Sequence, residues 1–211
     1  MASFAEKLQI RPGVTAIIGS GGKTTLLYTL ARELSQIGSV IVTTSTHIFR
    51  PDALPVVLET EQVSGCICVG TPCENGKLCA PRQSFEELEK LADYVLVESD
   101  GSKHLPLKAH EAHEPVIPLN ANQVICVVGA SGLGQTAREA VHRADCFVAR
   151  TGSEIATPNA VARLLREENF HTRVLINQAD SPERLQAARE LCKELSCPTV
   201  LAALQKGEII C

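Results

Sequence analysis

Seven consecutive residues, Gly19-Ser20-Gly21-Gly22-Lys23-Thr24-Thr25, carry the densest chemistry in this sequence. Glycines let a backbone turn tightly enough for successive amides to point at a single anion. Lys23 adds a mobile positive charge that can reach the β- and γ-phosphates of a nucleoside triphosphate. The Thr24 hydroxyl is of the kind that ligates Mg²⁺. The apolar run Val14–Ile18 precedes the loop, and helical periodicity follows it, with Leu26, Leu27, Leu30, Ala31 and Leu34 on one face. The loop is therefore placed between a buried strand and the start of a helix, whose unsatisfied amides and dipole favour an anion. The spacing is shorter than the full eight-residue phosphate-loop pattern, because Ile17 stands where its first glycine would be.

Three further segments could complete such a site. Thr43 and Thr44 end the apolar run Val40–Thr44, and hydroxyls at the carboxyl end of a parallel strand face the ligand side. Glu98 and Asp100 follow the apolar Tyr94–Val97, so they can deliver carboxylates that hold Mg²⁺ or orient a nucleophile. Asn177-Gln178-Ala179-Asp180 resembles the Asn-Lys-x-Asp element that reads guanine, with Gln178 in place of the lysine. Two other groups suggest metal ligation: His104, His110, His113 and His142, and Cys66, Cys68, Cys73 and Cys79. Neither spacing matches a closed zinc pattern. Cys66 and Cys68 alternate as core residues of a strand do.

The elements that must position these residues alternate between short apolar runs and helical patterns. Strands are expected over 14–18, 40–44, 56–59, 66–70, 94–98, 124–128, 173–177 and 199–203, with helices over 23–37 and from Ser84 to about Ala92. Ser84 with Glu87 forms a capping box, and Gly38 is placed to end the first of these helices. Thr157-Pro158 and Ser181-Pro182 are cap-plus-proline helix starts. Asn75-Gly76 marks a hairpin turn. Residues 102–122 hold three prolines and three histidines without periodicity and read as a long functional loop. The fold class expected is α/β: a P-loop NTPase-like, mostly parallel sheet flanked by helices. Residues 1–211 suit a single domain, with a small antiparallel β insertion over 51–80.

The composition narrows the function classes. With 20 basic and 24 acidic residues the formal net charge is -4, which argues against a nucleic-acid partner. No apolar run approaches the roughly 20 residues that span a membrane. The sequence shows no leader pattern, and its nine cysteines are odd in number and scattered, so the expectation is a cytoplasmic protein with free thiols.

Taken together, several blocks resemble the YqeC-type family of selenium-dependent molybdenum hydroxylase accessory proteins. They are the loop at 19–25, Thr43-Thr44-Ser45-Thr46 with Pro51, Glu98-Ser99-Asp100-Gly101-Ser102, Leu105-Pro106-Leu107-Lys108-Ala109, His113-Glu114-Pro115-Val116-Ile117-Pro118 and Val141-His142-Arg143. The loop by itself is also similar to the Gly-x-x-Gly-Lys-Thr-Thr loop of the amino-acid-adding peptidoglycan ligases. Family resemblance implies a role in making or inserting the selenium-containing molybdenum centre, with a hydroxylase or its cofactor as partner. It also makes Lys108, His113, Glu114, His142 and Arg143 candidates for an anionic second ligand or for completing the γ-phosphate site. The leading expectation is an NTPase that uses ATP or GTP with Mg²⁺, its chemistry carried by Lys23, Glu98 and Asp100. The alternatives are an ATP-dependent ligase or small-molecule kinase, and a nucleotide-gated chaperone without significant turnover.

Overall fold

A computed structural model describes residues 2–210. In chain order the elements begin with α1 (Phe4–Lys7), β1 (Gly13–Gly19), α2 (Lys23–Leu34), β2 (Val40–Thr44), β3 (His47–Phe49), β4 (Val56–Val57) and β5 (Cys66–Val69). They continue with β6 (Thr71–Pro72), β7 (Lys77–Cys79), α3 (Phe85–Leu91), β8 (Tyr94–Glu98), β9 (Leu107–Lys108) and β10 (Ala121–Gly129). The last are α4 (Ala137–Ala140), β11 (Val141–His142), α5 (Ala144–Thr151), α6 (Pro158–Glu168), β12 (Arg173–Asn177), α7 (Pro182–Glu194), β13 (Thr199–Ala203) and β14 (Glu208–Ile209). The class is α/β, with mostly parallel sheet, flanking helices and one small antiparallel sheet.

The chain forms two compact units. The first comprises residues up to Ile17, Thr24–Asp100 and Val116–Val124; the second comprises Ile18–Lys23, Gly101–Pro115 and the chain from Ile125 onward. The backbone passes from one to the other at Ile17–Ile18, just before the phosphate-loop candidate, at Lys23–Thr24 within it, and again at Asp100–Gly101.

In the first unit the parallel strands lie in the order β1-β8-β2-β5-β4. Both faces of the central strands are covered, and every residue of β2 and β8 is buried. This is why they read as continuous apolar runs rather than alternating ones. Val14, Ile41, Val95 and Val97 pack with Val69 and with Leu88 of α3 into one cluster. Fully burying a side chain of this size contributes about 1.5–3 kcal/mol. Helix α3 starts at the expected capping box: Glu87 N–H donates to Ser84 Oγ at 3.2 Å, and Ser84 N–H donates to Glu87 Oε2 at 2.7 Å.

The antiparallel insertion is real, but its boundaries differ from the expected 51–80. Its strands run in the order β3-β7-β6, so it begins at His47. The intervening β4 and β5 instead join the parallel sheet beside β2. Both lie within a stretch whose short apolar runs look alike in sequence, and only pairing partners separate them. The Asn75-Gly76 turn closes the β6–β7 hairpin with both residues at positive φ, 59° and 69°.

In the second unit β10, β12 and β13 are parallel neighbours, and β14 is added antiparallel at the edge. Thr157 and Ser181 cap α6 and α7 as expected, each accepting a bond from the backbone three residues on. The segment expected as a long loop contains β9, which pairs in parallel with β11 so that Lys108 lies opposite His142. Both strands are two residues long, too short to leave a periodic signature in sequence.

Candidate functional site

The loop residues of the second unit are held by backbone contacts that their sequence neighbours could not reveal. Ser20 N–H donates to Val127 O at 2.8 Å, and the Ser20 hydroxyl donates to Leu105 O. Gly21 has φ +85°, and a Cβ there would lie 2.5 Å from Gly129 Cα and 2.8 Å from Pro106 O. Gly22 has φ +133°, and a Cβ would lie 2.4 Å from Asn177 Nδ2. Both positions therefore exclude a side chain twice over, by conformation and by space. Lys23 is buried, and its ammonium donates to Gly19 O at 2.8 Å and to Ser102 Oγ at 3.1 Å. The side chain thus folds back over its own loop. Ser102 is a contact that site selection from sequence passes over, although it ends the Glu-Ser-Asp-Gly-Ser block.

In the first unit β8 lies between β1 and β2, and the register decides what meets at the strand ends. Glu98 is opposite Ile17 on one side and Thr44 on the other. Thr24 Oγ1 donates to Glu98 Oε2 at 2.9 Å. Thr44 Oγ1 donates to the Glu98 carbonyl at 2.7 Å. Thr25 follows Thr24 in the first turn of α2. Thr43 is fully buried, and its hydroxyl has an unfilled hydrogen bond. Asp100 is fully buried two residues beyond Glu98. Thr24 and Glu98 form an oxygen-only donor set, of the hard kind that suits Mg²⁺. The carboxyl ends of parallel strands are where ligands bind in open α/β sheets.

Asn177 and Asp180, paired in sequence as base readers, part company in the structure. Asn177 is buried; its Nδ2 donates to Gly21 O at 2.7 Å, and its Oδ1 accepts from Leu204 N–H at 2.9 Å. The amide group thereby fastens the glycine loop to the backbone after β13. Asp180 is exposed and accepts from Arg184 Nη1 at 2.7 Å, one helical turn away. That pairing is the leading reason its carboxyl lies below the usual carboxylate range.

Four of the five residues proposed for a second ligand come together. Lys108, with no exposed side-chain surface, lies 3.1 Å from Glu114 Oε2 and donates to Gly101 O at 2.5 Å. Arg143 Nε lies 3.8 Å from the same carboxylate oxygen, and Arg143 Nη1 is 3.4 Å from Glu111. Buried His142 is held below its ordinary pKa, first by burial and then by the Lys108 and Arg143 charges, against an opposing pull from Glu114. His113 stands apart, exposed, 3.7 Å from Glu111.

A family model described as YqeC protein matches residues 15–145, more than half of the chain. The chain belongs to the YqeC family. Its resemblance to an uncharacterised protein YqeC of Escherichia coli (strain K12) is 37% identity over 177 residues. That match covers 74% of this chain and 66% of the relative, so the chain spans just under two thirds of the relative's length. The matched family region includes the glycine loop, Thr43, Thr44, Glu98, Asp100 and the Lys108–Arg143 cluster; Asn177 and Asp180 lie beyond it. Among the described residues no helix is long and apolar enough to cross a membrane.

Proposed function

We propose that this YqeC-family protein binds and hydrolyses a nucleoside triphosphate with Mg²⁺, and that turnover serves the maturation of a selenium-dependent molybdenum hydroxylase. The observation that carries the nucleotide reading is the bond between Thr24 Oγ1 and Glu98 Oε2, in the residue directly after Lys23. A hydroxyl that follows the loop lysine and meets an acid at the end of an apolar strand is the pairing that holds the metal in phosphate-loop proteins. The glycine loop and Lys23 would hold the phosphates, and Thr24 and Glu98 would hold Mg²⁺, which would supply charge neutralisation at the phosphate oxygens. Asp100, buried beside the metal pair in sequence, orients the attacking water as the bond from the γ-phosphorus to the leaving diphosphate oxygen breaks. The family resemblance supports the maturation role. The Lys108–Glu114–Arg143 cluster supports an anionic partner for the same protein.

Calorimetry with Mg²⁺-ATP and Mg²⁺-GTP, on the natural chain and on Lys23→Ala, tests the reading. Saturable binding of one nucleotide, lost in the variant, is the expected result. Heat of binding unchanged by Lys23→Ala, or no binding of either nucleotide, would sink it.

A further inference from the structure

The small antiparallel sheet carries a second constellation, on which the nucleotide reading makes no demand. Register places it there. His47 on β3 lies directly opposite Cys79 on β7, and Thr71 on β6 lies opposite Cys79 from the other side. Cys73 is two residues beyond Thr71, so strand alternation returns it to the same face, diagonal to Cys79. The hairpin is held in that register by Cys73 N–H, which donates to Lys77 O at 2.9 Å. Ile48 and Leu78 alternate with these residues and point the other way, into the core. His47, Cys73 and Cys79 therefore share the outer face. The ring nitrogen and two sulfurs that could act as ligands all lie within 4.8 Å of one another.

We propose that His47, Cys73 and Cys79 form a binding site for a borderline-soft divalent cation of the zinc type. Two thiolates and a neutral imidazole are the donor set such ions prefer over oxygen ligands. Together they carry two negative charges, which balance a divalent ion. Zinc bonds of about 2.3 Å to sulfur and 2.0–2.1 Å to nitrogen, set tetrahedrally, separate neighbouring ligand atoms by roughly 3.6–3.8 Å. Side-chain rotation on this accessible face can close the gap from 4.8 Å or less toward that spacing. Three protein ligands leave the fourth position to water, so the ion is exchangeable.

The site also meets a need of the fold. Strands of three, two and three residues form a sheet too small to be stable alone. The three ligands come from β3, from the residue after β6, and from β7, so one ion ties together every strand of the sheet. The Lys77 ammonium, 4.9 Å from the Phe49 ring centre, makes a further link between β3 and β7.

The test uses the full chain, stripped with a chelator and kept reduced, and titrated with cobalt(II) as an optical probe. The expected result is one cobalt per chain with a thiolate-to-metal charge-transfer band. The band disappears in Cys73→Ser and in Cys79→Ser, and affinity drops at least tenfold in His47→Asn. Cys66→Ser, outside the cluster, behaves as the natural chain. Because a variant could fail by misfolding, the melting temperature of the natural chain is read with and without zinc. Zinc should raise it, and should do nothing for a Cys73→Ser variant whose circular dichroism is unchanged. Absence of cobalt uptake by the reduced natural chain, or a band that survives both serine substitutions, would overturn the proposal.

Discussion

Asn177 offers the sharpest decision between two roles, because its side chain is committed inside the protein before any nucleotide arrives. Replacing it by alanine removes a donor from Gly21 O and an acceptor from Leu204 N–H. Each buried partner left without a hydrogen bond costs about 1–3 kcal/mol. The two losses together predict a destabilisation of roughly 2–6 kcal/mol in the nucleotide-free protein. With a urea slope of about 2 kcal/mol/M, the unfolding midpoint falls by about 1–3 M. Asn177→Asp keeps an acceptor for Leu204 but sets a second oxygen against Gly21 O, where the amide now donates at 2.7 Å. It should be destabilised at least as much. Asp180→Ala is the control: its partner Arg184 is 45% exposed, and such surface pairs contribute about 0–1 kcal/mol. The assay is urea unfolding followed by circular dichroism without nucleotide. A wild-type midpoint in both Asn177 variants would refute the brace. Normal stability with altered preference between ATP and GTP would return Asn177 to base reading.

Two further outcomes follow from buried groups of the second unit. Glu168 accepts from the His110 N–H at 2.7 Å and from Arg150 at 3.0 Å, and contacts His110 Nδ1 at 2.8 Å. Glu168→Ala strands these groups and should cost about 3–5 kcal/mol, read as a lower melting temperature, whereas Glu168→Gln should recover part of it; an unshifted melting temperature in the alanine variant would refute the network. His142 is held below its ordinary 6.5, so its stabilising contribution is complete above that pH. As pH falls below 6.5 the unfolded chain takes up the proton first, and stability declines until the folded-state pKa is passed. His142→Gln should flatten the fall of the urea midpoint with acid, while the similarly depressed His171 remains in both proteins. An equal slope would show that His142 is not responsible.

Local chemistry was legible in the sequence wherever it depends on nearest neighbours. Periodicity and capping placed Val40–Thr44, Tyr94–Glu98, Arg173–Asn177 and Thr199–Ala203 at their observed limits, because strands buried on both faces must be continuously apolar. The Ser84 box, the two proline starts and the Asn75-Gly76 turn are fixed by side chains within three residues of the backbone they satisfy. The family was legible because its blocks are contiguous. What sequence could not decide is which distant strand pairs with which. Pairing sets Thr44 and Ile17 beside Glu98, assigns β4 and β5 to the parallel sheet, and turns Asn177 toward Gly21. It also gathers His47, Cys73 and Cys79, whose separations of 26 and 6 residues match no familiar ligand spacing. Their proximity comes from two antiparallel registers that share Cys79 as a pivot, and a register is a property of the whole sheet and of no single segment.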